Sequence, residues 1–290
     1  MDSIVIILFI FLLGASVASF LQMYLSTGGK NIWRGRSKCD GCGKNLGVFG
    51  LVPVLSWLVQ FGKAKCCGQV LSWKYFFGEI ILGLWFVGCY VWFGWNVELS
   101  NNLMFVLSLV LGSIFFFLVM QDLDDMSVSS RYLYLLCAVS IFGVLVALAT
   151  PEKWLPEIGR AALDKTAGSA GDVALGALWS LVIFSPFWLI YLLGKYLDKP
   201  MIGEADPYVF TALGVFFGTQ FSVSLFLYSV WLGAFLGVGY LYFINRKFER
   251  NVRVPFLPII FLASLIILIT NFHIIKIQDI LIINEILFKN

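Results

Sequence analysis

LSNNLMFVLSLVLGSIFFFLVMQ, Leu99–Gln121, runs for 23 residues without a charge, and DLDD, Asp122–Asp125, follows at once. About 20 apolar residues, rising 1.5 Å each as a helix, cross a hydrocarbon core of roughly 30 Å. The run has no period-two alternation, and lipid tolerates no open sheet edge, so it predicts a membrane helix rather than a strand. Similar uncharged runs lie to either side: Ser3–Gly29, Ile80–Val97, Tyr132–Pro151, Val173–Gly194 and Val254–Ile275. Pro207–Asn245 is too long for one helix. Its polar break at Gly218-Thr219-Gln220 predicts a short helix, a tight turn and a longer helix.

The composition agrees. The chain of 290 residues is 60% hydrophobic and 13% charged, with a mean hydropathy of +0.90. A soluble domain is about 45–50% apolar and about 25% charged. A soluble enzyme, a disordered chain, a collagen and a secreted disulfide scaffold are excluded. The expected fold is all-α: a polytopic membrane protein of about eight transmembrane helices with a small cytoplasmic insertion. Residues 1–27 are expected to be the first span, 28–75 the insertion, 76–275 the membrane core and 276–290 a C-terminal tail. The Met1-Asp2 start lacks the basic residues of a secretory signal, so the first span is expected to remain in the mature protein.

Orientation follows from Lys and Arg. Lys30, Arg34, Arg36, Lys38, Lys44, Lys63, Lys65 and Lys74 crowd the insertion. Arg246, Lys247, Arg250 and Arg253 fill a later loop, and Lys195 and Lys199 lie between the fifth and sixth spans. With eight spans these loops share one side, the cytoplasm, and both termini are external.

Four of the six cysteines lie in the insertion, as Cys39-Asp-Gly-Cys42 and Cys66-Cys67-Gly68. Cytoplasmic thiols stay reduced, and two Cys pairs in a small basic loop resemble a zinc ribbon with Cys39, Cys42, Cys66 and Cys67 as metal ligands. Adjacent Cys side chains usually point apart, which makes the second pair an awkward one. Cys89 and Cys137 sit within apolar runs and read as inert packing.

Two acidic places meet the membrane: Gln121-Asp122-Leu123-Asp124-Asp125, and Gly203-Glu204-Ala205-Asp206-Pro207. On the topology above both are cytoplasmic. Two carboxyl groups in one poorly solvated site cannot both ionise, so one acts as acid and the other as base. Such a pair activates water without a covalent intermediate. The single histidine, His273, is near the outer end of the last span, which excludes a cytoplasmic His-based triad. The same acids could instead relay protons in a transporter, but no internal repeat is visible and the acids lie at span ends. A catalytically inactive relative with a structural role is a third reading, to which the presence of both acids runs counter.

These residues carry a family pattern. The sequence resembles the type IV prepilin peptidases over nearly its whole length, in order. Gly14-x3-Ala18-Ser19-Phe20-Leu21-Gln22 is similar to the family's Gly-Ser-Phe-Leu-Asn stretch. Arg36-Ser37-Lys38-Cys39-Asp40-Gly41-Cys42 is similar to its first Cys pair, and Gly62–Gly68 to its second. Val52–Leu58 stands between them, and Leu71–Tyr75 with Glu79 follows. Gln121–Asp124 and Gly203–Asp206 resemble the motifs of the two catalytic acids, which fall on Asp122 and Asp206. Val254-Pro255-Phe256-Leu257-Pro258 is similar to the family's last motif. Several positions depart from the pattern. Ala64 replaces a cysteine, Ala205 a glycine, Ser129-Ser130 a Pro-Asp, and Tyr208 a common lysine.

The resemblance implies a bacterial inner-membrane aspartic endopeptidase. It removes the basic leader of prepilins or pseudopilins, substrates of pilus or type II secretion machinery, and uses no nucleic acid. It implies structural zinc, and S-adenosylmethionine for N-methylation of the new N-terminus. A peptidase without the methyltransferase activity is the alternative within the family.

Overall fold

The computed structural model describes residues 2–28, 39, 41–45, 47, 52–94, 99–149, 170–199, 202–240 and 255–270. The basic residues Lys30–Lys38 and Asp40 lie outside the described residues. So do the loops 150–169 and 241–254, His273 and the tail 276–290. Among the described residues the structure is helical with no strand, and Lys63 and Val70 form an isolated antiparallel bridge.

The helices are α1 (Asp2–Thr27), α2 (Leu55–Val59), α3 (Trp73–Phe93), α4 (Leu99–Asp125), α5 (Ser130–Ala149), α6 (Ala170–Tyr196), α7 (Ala205–Phe217), α8 (Thr219–Tyr240) and α9 (Leu257–Thr270). Six are long and apolar enough to cross a membrane, and α7 and α9 are shorter apolar helices. The other two of the expected spans fall on these shorter helices. The chain is a multi-pass membrane protein. Helix α3 begins at Trp73, earlier than its uncharged run, because Lys74 and Glu79 are taken into its first turns. The short α2, inside the insertion, has no counterpart in the hydrophobic pattern.

Two compact units divide the chain: Met1–Tyr90 and Val91–Asn290. In the first, α1 meets α3 where both helices carry glycine. A Cβ at Gly14 would stand 2.8 Å from Leu82 O and from Phe86, and one at Gly83 would stand 2.7 Å from Phe11. Small residues let membrane helices approach until their backbones touch, which replaces the hydrophobic drive that lipid removes. Away from α3, Ile4, Val5, Leu8, Phe9 and Leu12 are exposed, as side chains facing acyl chains must be.

In the second unit α7 is the centre. It packs against α5, α6, α8 and α9, and ten of its thirteen residues are buried. Its neighbour α6 is apolar all round, with Leu175, Leu178, Trp179, Val182, Leu189 and Leu192 exposed. Inside α6, Pro186 lacks the N–H that would bond Val182 O, and the Ser185 hydroxyl donates to that carbonyl at 2.7 Å instead. Helix α7 ends at Gly218, which takes φ 89°, a conformation costly for other residues, and α8 starts at the next residue. The break lies where the polar triplet Gly218-Thr219-Gln220 predicts it.

A polar clasp joins α6, α7 and α8 near this turn. The Ser180 hydroxyl donates to Gly214 O at 2.9 Å, and the Ser222 hydroxyl lies 2.9 Å from Ser180 Oγ. Thr219 Oγ1 donates to Gly176 O at 3.2 Å. Hydroxyls that bond carbonyls across helices satisfy themselves without water. The clasp closes only because residue 214 has no side chain, since its Cβ would come within 2.5 Å of Phe184 and Ser222. Gly214→Leu is therefore expected to destabilise the chain by about 1–3 kcal/mol through overpacking. Gly239→Ala, where no atom lies within 4 Å of the new Cβ, is expected to change little. Thermal unfolding of both variants in detergent checks the contrast.

Candidate active site and metal centre

Asp206 lies in the first turn of α7 and is only 6% exposed. Its Oδ2 accepts the Gly203 N–H at 3.1 Å. A Cβ on residue 203 would stand 2.9 Å from that oxygen, so the position must stay bare. The first turn of a helix holds unpaired N–H groups and favours negative charge. Pro207 is tolerated there because an N–H at that position would have no helical partner.

Asp122 is placed differently. It sits near the C-terminal end of α4, where carbonyls make an anion unwelcome. The start of α9 compensates: the Leu257 N–H donates to Asp122 Oδ2 at 3.2 Å. That N–H is one of the orphan donors of a helix start. The turn after α4 holds the carboxyl in place. Met126 takes φ 50° with its N–H on Asp122 O at 3.1 Å, and Gln121 Oε1 accepts the Ser129 N–H at 3.1 Å. Asp122 is half-buried while Asp124 and Asp125 are exposed, which separates the first from its acidic neighbours. The Asp122 charge acts on Asp206, so the two sequence-predicted acids are within electrostatic reach of each other.

Two residues after Asp206 an aromatic cluster begins. Tyr208 lies 4.6 Å from Trp188 and 6.2 Å from Tyr134 between ring centroids, and Trp188 Nε1 donates to Thr211 Oγ1 at 2.9 Å. The lysine common after this motif is thus replaced by a ring seated among other rings.

The four insertion cysteines converge. Cys39 Sγ is 3.6 Å from Cys67 Sγ, Cys42 Sγ 3.4 Å from Cys66 Sγ, and Cys66 Sγ 4.0 Å from Cys67 Sγ. All four sulfurs lie within 4.8 Å of one another, and all six cysteines are free thiols. A tetrahedral site with metal–sulfur bonds near 2.3 Å requires sulfurs about 3.8 Å apart, so the set fits a metal. Two turns supply it. In the first, the Gly43 N–H bonds Cys39 O at 2.8 Å. In the second, the Cys67 and Gly68 N–H groups bond Ala64 O at 3.3 and 2.7 Å. Ala64 keeps the turn of a missing cysteine. The tight turn, unlike extended backbone, brings the adjacent Cys66 and Cys67 to the same side. Gly41 lets the two turns meet, since a Cβ there would collide with Gln69 and lie 3.2 Å from Cys67 Sγ.

The thiols share protons unequally. Backbone N–H groups of Cys42 and Gly41 lower Cys39 to about 6. The neighbouring Cys42 and Cys39 push Cys66 up to about 12. A bound metal would take the place of the protons that the cluster now shares.

The motif reading left one buried group without a role. Glu79 is 6% exposed inside α3, and the signal for it was an acid within an otherwise apolar helix. The donors to Asp122 and Asp206 are backbone N–H groups, which side-chain motifs do not disclose.

Residues 12–93 match the model of the Bacterial Peptidase A24 N-terminal domain. A prepilin leader peptidase/N-methyltransferase of Myxococcus xanthus is 29% identical, over 84% of this chain and 65% of the relative. One of Bacillus subtilis is 26% identical, over 80% of each chain. One of Aeromonas hydrophila is 27% identical, over 82% of this chain and 73% of the relative. The chain thus spans just under two thirds of the Myxococcus protein's length and more of the others. No solved structure matches. Over residues 12–93 the chain is thus similar to the peptidase A24 N-terminal domain, and over most of its length it is similar to bacterial proteins named prepilin leader peptidase/N-methyltransferase.

Proposed function

We propose that the chain is a membrane aspartic endopeptidase that cleaves the basic leader from prepilins or pseudopilins. The observation that carries this reading is the pairing of Asp122 and Asp206. Each is held by backbone N–H groups, and the two are close enough for one charge to act on the other. In such a pair one carboxylate takes a proton from water while the other, protonated, hydrogen-bonds the scissile carbonyl. The acid and base then exchange roles, and the proton passes to the leaving amine. The N–H groups of Gly203 and Leu257 fix the carboxyls without adding a cation that would force both to ionise. A proton relay in a transporter fits less well, because both acids stand at helix ends.

The enzyme resides in the bacterial inner membrane, with the basic loops and the Asp pair on the cytoplasmic side and both termini external. Zinc is the metal that four thiolates at these distances suit best, held by Cys39, Cys42, Cys66 and Cys67. It would tie the two turns together and takes no part in hydrolysis. N-methylation with S-adenosylmethionine rests on the names of the relatives.

Asp122→Asn and Asp206→Asn should each lower cleavage of a co-expressed prepilin by at least about 10²-fold, with the protein still folded and inserted. Mass measurement of the substrate N-terminus reads the result, and full processing by either variant would move the chemistry elsewhere. Reporter fusions at Asn45 and Arg250 should read cytoplasmic, and those at Asn101 and Ala162 external. Purified protein should carry about one zinc per chain. Cys39→Ser, Cys42→Ser and Cys67→Ser should each release it, and Cys66→Ser should do so as fully. Metal analysis of the four variants decides whether Cys66 fills the place left at Ala64. Cleavage should fall less in these variants than in the Asp variants.

A further inference from the structure

Glu79 is a buried carboxyl with capacity to spare. Its Oε2 accepts the Val54 N–H at 2.6 Å, and the Ser19 hydroxyl bonds it from α1. Among the described residues no Lys or Arg pairs with it. One helical turn beyond Ser19, on the same side of α1, Gln22 is 3% exposed. Its Nε2 donates to Lys74 O at 3.1 Å on α3, while its Oε1 is buried with no partner. A carboxylate has about four acceptor positions and an amide oxygen two. An unpaired buried acceptor costs about 1–3 kcal/mol. So, at the end of the helix pair next to the cysteine insertion, α1 and α3 enclose one acceptor without a donor, Gln22 Oε1, and a carboxyl whose two donors leave acceptor positions unfilled.

The geometry points to a binding site for a primary ammonium group formed by Glu79, Ser19 and Gln22. An ammonium offers three donors and no acceptor. It would fill the carboxylate's free positions and Gln22 Oε1 together, and would neutralise a charge that no cation among the described residues meets. Anchoring Val54 alone needs no acid at residue 79, because a glutamine oxygen accepts an N–H equally well. The ammonium has two possible sources on the peptidase reading, on which the choice of probes rests. One is the new N-terminus of the cleaved substrate, the other a lysine of its leader.

The test is binding to the full chain in detergent, with no cleavage step, so its failure and that of the peptidase reading are distinguishable. Three probes share one apolar helical sequence: a free α-amine without lysine, its N-acetylated form, and the acetylated form with one added lysine. The wild type should bind one or both ammonium-bearing probes at least about tenfold more tightly than the acetylated peptide. The probe that gains identifies the source. Glu79→Gln keeps the Val54 hydrogen bond and should abolish the discrimination. Gln22→Met should reduce it. Unchanged thiol reactivity of the four insertion cysteines checks that the variants fold. If the carboxyl instead carries a proton and donates to Gln22 itself, the amide of Glu79→Gln supplies the same donor. Discrimination that persists in Glu79→Gln, or its absence in the wild type, overturns the inference.

Discussion

A carboxyl group withdrawn from water must find hydrogen-bond donors, and within a bilayer the surplus donors are the first N–H groups of helices. The second unit is arranged around that constraint. Asp206 rides in the first turn of α7, and Asp122 reaches the first N–H of α9. Helix α7 lies buried among α5, α6, α8 and α9. The bare positions at Gly203 and Gly214 keep its two ends in close contact with their surroundings. Cationic partners would hold the acids as well, but would keep both of them ionised. Backbone donors leave one free to carry a proton.

Much of this is legible in the residues, because lipid makes the pattern coarse. Runs such as Leu99–Gln121 give helices whatever their packing, and Gly218-Thr219-Gln220 breaks a run too long to be one helix. Asp122 and Asp206 stand out because acids at the edge of such runs are few. The cysteine geometry is less legible. Two adjacent cysteines in extended backbone diverge, and only the Ala64–Gly68 turn brings Cys66 and Cys67 together. Illegible altogether are the donors to the acids, since every residue carries an N–H and only the packing of α9 on α4 selects Leu257. The start of α3 at Trp73 eludes a search for uncharged runs, because Lys74 and Glu79 interrupt the composition and leave the helix intact.

The first unit solves a different problem with different means. Among the described residues of its insertion few side chains are buried, Cys39 and Ala64 among them. Trp57 stacks with Trp73 and Phe76 at centroid distances of 4.3 and 4.6 Å, and four sulfurs close the other end. Val54 joins the two parts. As the residue before α2, it holds φ 63°, which a β-branched side chain resists, and from there its N–H reaches Glu79 on α3. The loop is thereby tied into the helix pair by a backbone conformation that a relaxed chain would avoid.

The length of α7 carries a further consequence. Thirteen residues rise about 20 Å, some 10 Å less than a typical hydrocarbon core. A helix that short cannot reach both faces of an unperturbed bilayer. Either its acidic end opens below the surface, in a recess walled by longer neighbours, or the lipid thins around it. In both cases hydrocarbon thickness sets how far water must travel to the carboxyl groups. The membrane is then a dimension of the site itself, one that changes with acyl-chain length while every residue stays the same.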